Sequence, residues 1–341
     1  MTMITERKGR TNPLFLMDLR EKSERWRQVV KEEDIWRSAI QQICDRAGIV
    51  YRSIRTDFHS NNAVFLLDHH YVVKLYAPDQ QDSFRVEEGA LRILATTPAL
   101  PIPPLLAVGD LNGLLSCPYI VMGMVSGMPL DELRGKFGSG DLVNIATQLG
   151  TVMARFHGSY FSGKSQIGQA YGAWNTLYEN RRHQFIENLG QTVSFPSCLK
   201  SELRAFVCST EVDTYLNTPH VLVHGDLTCY HIYVEEQAGH WRVSGIIDMG
   251  NALAAPPEYD WTDLWFQTLE RDVQALIAFL TSYQSALKID ENYRRRLMAF
   301  FLHSWEAAPK LATLLESENA PDIKDIGALL DWLWPKELET S

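Results

Sequence analysis

The sequence predicts an α+β chain of two lobes: a small β-rich lobe over residues 35–125 and a larger α-helical lobe over 126–341, preceded by a tail and helix over 1–34. Three observations carry this reading. Strand patterns crowd residues 49–125, helical periodicity fills most of the remainder, and Gly123-Met-Val-Ser-Gly-Met-Pro129 between them reads as a flexible link. At 341 residues the chain is long enough to build both bodies.

Each element follows from its pattern. Residues 1–15 read as a tail. Leu19, Trp26, Val29, Val30, Ile35, Trp36, Ile40 and Ile43 recur near helical spacing, which predicts a helix over 18–48 with Gly48 as its stop. Ala63-Val-Phe-Leu-Leu67 and Tyr71-Val-Val-Lys-Leu-Tyr76 are strand-forming runs joined across Asp68-His-His70. Residues 82–94 are predicted helical, because Phe84, Glu87, Leu91 and Leu94 fall at i, i+3, i+7 and i+10. Pro101-Ile-Pro-Pro104 breaks the chain, and Pro118-Tyr-Ile-Val-Met122 is a further strand. Beyond the link, helical spacing dominates except around one hairpin near 232–247.

Composition narrows the class. Hydrophobic residues make up 45% and charged residues 22%, the balance of an ordinary globular protein. No apolar run approaches the ~20 residues that a bilayer span needs. The N-terminus lacks the basic-then-apolar order of a secretory leader, so a cytoplasmic protein with no membrane partner is expected. Cys44, Cys117, Cys198, Cys208 and Cys229 are scattered without Cys-x-x-Cys spacing, which predicts free thiols in a reducing compartment. A net charge of −10 argues against a nucleic-acid partner and favours a cationic small molecule. A monomer and a homodimer both stay open.

The chemistry is concentrated in Val221-Leu-Val-His-Gly-Asp-Leu-Thr-Cys-Tyr-His-Ile-Tyr-Val234 and Val243-Ser-Gly-Ile-Ile-Asp-Met-Gly250. Each half is an apolar run that delivers an aspartate, Asp226 or Asp248. The polar, glycine-containing stretch 235–240 predicts a hairpin of 232–234 with 241–247. A hairpin returns the chain on itself and can bring His231 and Asp248 to the mouth where Asp226 sits. Two carboxylates and an imidazole beside one loop suit metal-assisted phosphoryl transfer. One carboxylate orients and deprotonates a hydroxyl, and another holds Mg²⁺ against nucleotide phosphates. Taken singly, either aspartate is an ordinary loop or cap residue.

The pattern His-Gly-Asp-Leu-x-x-x-[Asn/His]-hydrophobic, then hydrophobic-Ile-Asp-x-Gly, extended by Pro256, Tyr259 and Asp260, resembles the aminoglycoside phosphotransferase family. Leu100-Pro-Ile-Pro-Pro-Leu-Leu106 and the terminal Leu329-Leu-Asp-Trp-Leu-Trp334 resemble its hygromycin-phosphotransferase-like branch. The resemblance runs loosely over 35–335 and is strong in motif at 70–127 and 220–263. It implies a protein-kinase-like fold, ATP or GTP with Mg²⁺, and transfer to a hydroxyl of a small polar molecule. An aminoglycoside or aminocyclitol is the implied acceptor, and antibiotic resistance the implied role. The alternatives are a kinase of another metabolite and a nucleotide-binding pseudokinase without turnover. The Asp-Phe-Gly and Ala-Pro-Glu signatures of protein kinases are missing.

Carried over residue by residue, the resemblance makes Asp226 the general base or orienter and Asp248 the main Mg²⁺ ligand. His231 stands where the family often has Asn. It would be a weaker metal ligand, since imidazole suits Mg²⁺ less well than oxygen, or it would contact phosphate or Asp226. His224 would support the loop, Asp260 would brace it, and Gly250 would permit a sharp turn. Glu87 lies on the apolar helix face, where a charge is costly unless paired, and Lys74 supplies the pair that holds α/β-phosphates. Glu88, about 100° round the helix, would face solvent. By position, Ser60 in the glycine-free His59-Ser-Asn-Asn-Ala63 would touch phosphate. Met122 would line the adenine pocket, which Gly123 and Val125 would meet through carbonyl and amide. Glu179, Glu187, Glu270, Asp272 and Glu306 are acidic candidates for a cationic acceptor, although each such residue is more often a solvated helix face.

One string competes. Gly158-Ser-Tyr-Phe-Ser-Gly-Lys-Ser165 spells a phosphate-loop consensus. A working phosphate loop leaves a strand, whereas Leu142, Ile145, Leu149, Met153 and Phe156 before it have helical spacing. A loop after a helix, with Lys164 solvated, is the expectation.

Overall fold

The computed structural model describes residues 33–57, 62–77, 79–111, 117–138, 140–159, 174–191, 195–317 and 321–339. The chain divides into two compact units, one of residues 1–91 and 103–124, the other of residues 92–102 and 125–341. Residues 92–102 thus group with the second unit although they lie inside the 35–125 span.

The first unit is built on five antiparallel strands: β1 (Ile54–Asp57), β2 (Ala63–Leu67), β3 (Tyr71–Leu75), β4 (Leu105–Leu111) and β5 (Cys117–Gly123), in spatial order β1-β2-β3-β5-β4. Strand alternation assigns Phe65, Leu67, Val73, Leu75 and Val121 to one core with Trp36, Ile40 and Ile43 of helix α1 (Glu33–Ala47). Trp36 meets Phe65 edge-on at 6.1 Å. Gly48, at φ 67°, ends α1 as predicted, with the Ile49 amide returning to the Cys44 carbonyl at 2.9 Å. The part of the expected helix before residue 33 lies outside the described residues. In the β2–β3 turn Asp68 takes φ 51°, and its carboxylate accepts the Ser53 and Arg52 amides at 2.6 and 2.8 Å. Strand β4 was hidden from sequence reasoning by the prolines that run up to its first residue. Helix α2 (Gln81–Leu94) buries Val86, Glu87, Ala90, Leu91 and Leu94.

The second unit is mainly helical: α3 (Leu130–Leu133), α4 (Asp141–His157), α5 (Trp174–Gln191), α6 (Ser197–Val207), α7 (Thr210–Leu216), α8 (Glu258–Asp263), α9 (Val273–Tyr283), α10 (Glu291–Leu302), α11 (Ala307–Leu315) and α12 (Ile326–Leu333). Helices α4 and α9 pack so closely that a Cβ on Gly150 would lie 2.3 Å from the Phe279 carbonyl oxygen. Two small sheets serve the functional loops. One pairs β7 (Val221–Val223) with β10 (Leu253–Ala255); the other orders β6 (Met128–Pro129), β8 (Ile232–Gln237) and β9 (His240–Ile246). The predicted hairpin is present and longer than read. Gln237 pairs with His240 across Ala238-Gly239, both left-handed at φ 50° and 80°, the two-residue turn whose twist suits a hairpin. All five cysteines are free, as expected. Among the described residues no helix is long and apolar enough to cross a membrane.

Candidate active site

Strand β10 runs antiparallel to β7, with Leu253 opposite Val223. This sets Asn251 against the loop that leaves β7. A Cβ on Gly225 would lie 2.2 Å from the Asn251 carbonyl oxygen, and Gly225 sits at φ 80°, so only glycine fits. Asp260, 1% exposed, fixes the same turn. Its Oδ2 accepts the His224 amide at 2.9 Å, and its Oδ1 accepts the Gly225 amide at 2.8 Å. The same carboxylate meets His157 Nε2 at 3.1 Å, and His157 Nδ1 meets the Tyr283 hydroxyl at 3.0 Å.

His224 is fully buried, and burial lowers its pKa. Nε2 donates to the Ile247 carbonyl at 2.9 Å, while Nδ1 accepts the Asp226 amide at 3.2 Å. These two bonds define one neutral tautomer. The ring therefore ties the exit of β7 to the exit of β9, and with it the spacing of Asp226 and Asp248.

Between those exits the loop turns back through the Thr228 amide to the Asp226 carbonyl, 2.9 Å, and the His231 amide to the Thr228 carbonyl, 3.0 Å. His231 comes to stand between the aspartates. Its Nδ1 is 3.7 Å from Asp226 Oδ2, and its Nε2 is 3.9 Å from Asp248 Oδ2. Nδ1 donates to the Asp226 carbonyl at 2.8 Å, so in the neutral ring the Nε2 lone pair faces Asp248. Asn251 Nδ2 donates to Asp226 Oδ2 at 3.3 Å and orients that carboxylate, a role no motif announced. The special backbone expected at Gly250 belongs to Asp248 itself, at φ 62° and ψ 68°. A non-glycine residue held left-handed is a strain commonly found at functional sites.

Asp248 and His231 offer one carboxylate and one imidazole nitrogen. Among the described residues no cluster of three His, Cys, Asp or Glu could hold a metal ion by itself. This donor set fits Mg²⁺, which takes one or two protein groups and completes its shell with phosphate and water oxygens.

In the first unit, Lys74 Nζ lies 2.7 Å from Glu87 Oε2, with side chains 6% and 2% exposed. Lys74 points away from the face that carries Val73 and Leu75. Tyr76 donates its hydroxyl to the same Glu87 oxygen at 2.5 Å, a second partner that sequence reasoning missed. Glu88 is half-buried and does not take the lysine. Met122 is nearly buried near the end of β5, and the Gly123 amide donates to the Pro104 carbonyl at 2.9 Å. Val125, in the second unit, covers Gly245 of β9, where an added Cβ would meet it at 2.6 Å. Ser60 lies outside the described residues; nearby, Asn62 Oδ1 accepts the Ala77 amide at 3.0 Å.

The acidic candidates separate. Glu270, left-handed at φ 50°, meets Arg134 Nε at 3.1 Å, while Arg134 Nη2 donates to the Gln267 and Thr268 carbonyls at 2.6 and 3.0 Å. Asp272 caps α9, accepting the Ala275 amide at 2.9 Å. Glu179 pairs with Arg182 at 3.1 Å. Glu306, left-handed at φ 53°, precedes α11 and lines a cavity of about 290 Å³. Asp263 escaped the sequence reading because no motif marks it. It accepts from Gln267 Nε2 at 2.8 Å and lies 3.6 Å from Lys310 Nζ. Burial raises its pKa, Lys310 opposes, and the charges of Asp226 and Asp260 add to the rise. Gly158 and Ser159 follow helix α4, as expected of the competing string; residues 160–165, with Lys164, lie outside the described residues.

Residues 52–300 match the profile of the phosphotransferase enzyme family. No curated protein matches the chain. Among solved structures, the GDP complex of wild-type aminoglycoside 2'-phosphotransferase-IIIa is 19% identical, with 82% of this chain and 96% of that chain covered and a TM-score of 0.58. ADP-bound aminoglycoside phosphotransferase APH(2'')-Ib is 15% identical, with 89% and 99% covered and a TM-score of 0.58. The apoenzyme of macrolide 2'-phosphotransferase MphH from Brachybacterium faecium is 19% identical, with 84% and 99% covered and a TM-score of 0.52. These likenesses bear out the predicted α+β, protein-kinase-like fold.

Proposed function

The chain belongs to the phosphotransferase enzyme family, and we propose that it transfers the γ-phosphoryl group of ATP or GTP to a hydroxyl of a small polar molecule. The observation that supports this most is the convergence of Asp226, His231 and Asp248 on one loop braced by His224 and Asp260. In this reading Asp226 orients the acceptor hydroxyl and takes its proton, with Asn251 holding the carboxylate rotamer. Asp248, with His231, holds Mg²⁺, which supplies charge neutralisation at the phosphates. Lys74, kept in place by Glu87 and Tyr76, holds the α/β-phosphates. Met122, Gly123 and Val125 meet the base, and Ser60 meets phosphate by position. Because transfer of this kind needs little covalent chemistry from the protein, positioning of charge is what these residues contribute.

The solved relatives are named for aminoglycosides and macrolides. An aminoglycoside or aminocyclitol is the first acceptor class to try, with antibiotic resistance as the role. Cytoplasmic residence fits five free thiols and the use of a nucleotide triphosphate. The test is acceptor-dependent ADP or GDP release across aminoglycosides, aminocyclitols and sugars, with product confirmed by mass spectrometry. Turnover lost in Asp226→Ala supports the reading. Nucleotide binding without turnover on any acceptor would favour the pseudokinase.

A further inference from the structure

Helix α3 is a single turn, anchored by the buried side chains of Leu130 and Leu133. Asp131 and Arg134, three residues apart, lie side by side, with Arg134 Nε 3.6 Å from Asp131 Oδ1. Asp131 bonds the loop between Asp226 and His231. Its amide donates to the Cys229 carbonyl at 3.4 Å, and its Oδ1 accepts from Cys229 Sγ at 3.7 Å.

A second tie to the same loop comes from the other side of Arg134. Helix α8 continues into a wider, π-type turn over Leu264–Thr268, a geometry that recurs at functional sites. Such a turn ends in carbonyls that no later turn can pair. Arg134 Nη2 donates to two of them, Gln267 at 2.6 Å and Thr268 at 3.0 Å. The chain then passes through Glu270 and Arg271, both left-handed at φ 50° and 64°. Successive non-glycine residues keep that conformation only where their neighbours fix them. Arg134 fixes the first, with Nε 3.1 Å from Glu270 Oε1; the Trp332 ring, 4.7 Å from the Arg271 guanidinium, fixes the second. Thr268 itself is buried, and its Oγ1 donates to the Leu227 carbonyl at 3.1 Å.

One guanidinium therefore holds both residues that bond the middle of the loop. His224 and Asp260 set where the loop begins; Leu227 and Cys229, the residues tied through Thr268 and Asp131, lie between Asp226 and His231. A planar fork can serve carbonyls and carboxylates together, which the point charge of a lysine cannot.

We propose that Arg134 is a positioning residue for phosphoryl transfer: through Thr268 and Asp131 it sets segment 227–229, and with it the placement of the Asp226 carboxylate against the His231 ring. The assignment rests on the phosphotransferase reading. The test measures phosphate release from MgATP by the full chain, with water as the acceptor; loss of that release in Asp226→Ala ties it to this site. Arg134→Gln and Thr268→Val should each lower kcat about tenfold, with KM for ATP changed by no more than about twofold. Because the two residues act in one chain, the double variant should lose far less than the product of the single losses. Thr268→Ser keeps the hydroxyl and should restore the rate, whereas Arg134→Lys keeps only the charge and should restore part of it. A merely structural Arg134 would lower the melting midpoint and leave kcat per folded molecule unchanged.

Ring proton–carbon NMR signals of His231 give a reading that needs no turnover. They should shift in Arg134→Gln and in Thr268→Val, while those of His303 stay in place. Unchanged kcat in Arg134→Gln, single losses that multiply in full, a rise in KM for ATP in place of the fall in kcat, or an unmoved His231 signal overturns the proposal. Absence of phosphate release by the wild type, with water or any acceptor, counts against the phosphotransferase reading; the His231 signals then decide by themselves whether Arg134 sets the loop.

Discussion

Asp260 holds the backbone of His224, accepting its amide at 2.9 Å, and so sets from a distant helix the loop that carries Asp226. The other carboxylate oxygen takes the Gly225 amide at 2.8 Å. Asp260→Asn would turn one of those oxygens into a donor facing a donor, inside a site that is 1% exposed. Each buried amide left unpaired costs ~1–3 kcal/mol. The expected outcome is a lower melting midpoint and a fall of ~10–100-fold in kcat with nucleotide affinity little changed, read by calorimetry and steady-state kinetics.

Asp226→Ala should melt like the wild type, because the side chain is 34% exposed and packs no core. Its rate with the true acceptor should fall by ~10²–10⁴, the usual contribution of a positioned base. A rate within a factor of a few of wild type would remove Asp226 from the reaction.

Asp248→Asn isolates charge from backbone. Asn tolerates the left-handed conformation that Asp248 adopts at φ 62°, so the turn survives while the carboxylate is lost. Mg²⁺-dependent activity should disappear, with metal-free nucleotide binding retained. His231→Asn should keep or improve Mg²⁺ use, since an amide oxygen is the harder ligand. Titrating Mg²⁺ against both variants checks the ranking, and the reverse order would make His231 the principal ligand.

What was legible in the sequence was short in range. The His-Gly-Asp loop, the hairpin and Asp248 lie within one continuous stretch, and strand and turn chemistry there is local. Glu87 was legible because a carboxylate among Leu91 and Leu94 breaks an apolar helix face and demands a partner. Tyr76 was not, since a tyrosine ending a strand reads as core. The left-handed Asp248 was not, because backbone strain has no residue-type signature when the residue is not glycine. Asn251 and Asp263 were invisible for a different reason. The β7–β10 pairing brings Asn251 to Asp226, and only packing between helices brings Lys310 to Asp263.

The two lysines with a phosphate story should behave differently. Lys74→Ala leaves Glu87 buried with Tyr76 but without a cation, a change that typically costs ~3–5 kcal/mol, and ATP use should collapse. Lys164→Ala should leave the ATP dependence close to wild type, since its string follows a helix and not a strand. Severe loss in Lys164→Ala with a mild effect in Lys74→Ala would restore the phosphate-loop reading.

Acid should destabilise the fold through buried histidines. His303 is 1% exposed, donates Nδ1–H to the Ala299 carbonyl at 2.8 Å, and burial pushes its pKa down to about 4. In the unfolded chain a histidine titrates near ~6.5. Between those values the unfolded state binds a proton that the folded state refuses. The stability that His303 contributes is therefore complete above ~6.5 and is lost progressively as pH falls toward about 4, at no more than ~1.4 kcal/mol per pH unit. His224, also lowered by burial, acts in the same direction. Asp263 opposes them, because its raised pKa lets the folded state take up a proton first on acidification. The His303 share is separable by His303→Gln, which supplies a neutral amide in place of the ring. Melting midpoints measured from pH 7 down to pH 5 should fall less steeply in that variant than in wild type. Parallel slopes would assign the acid sensitivity to other groups.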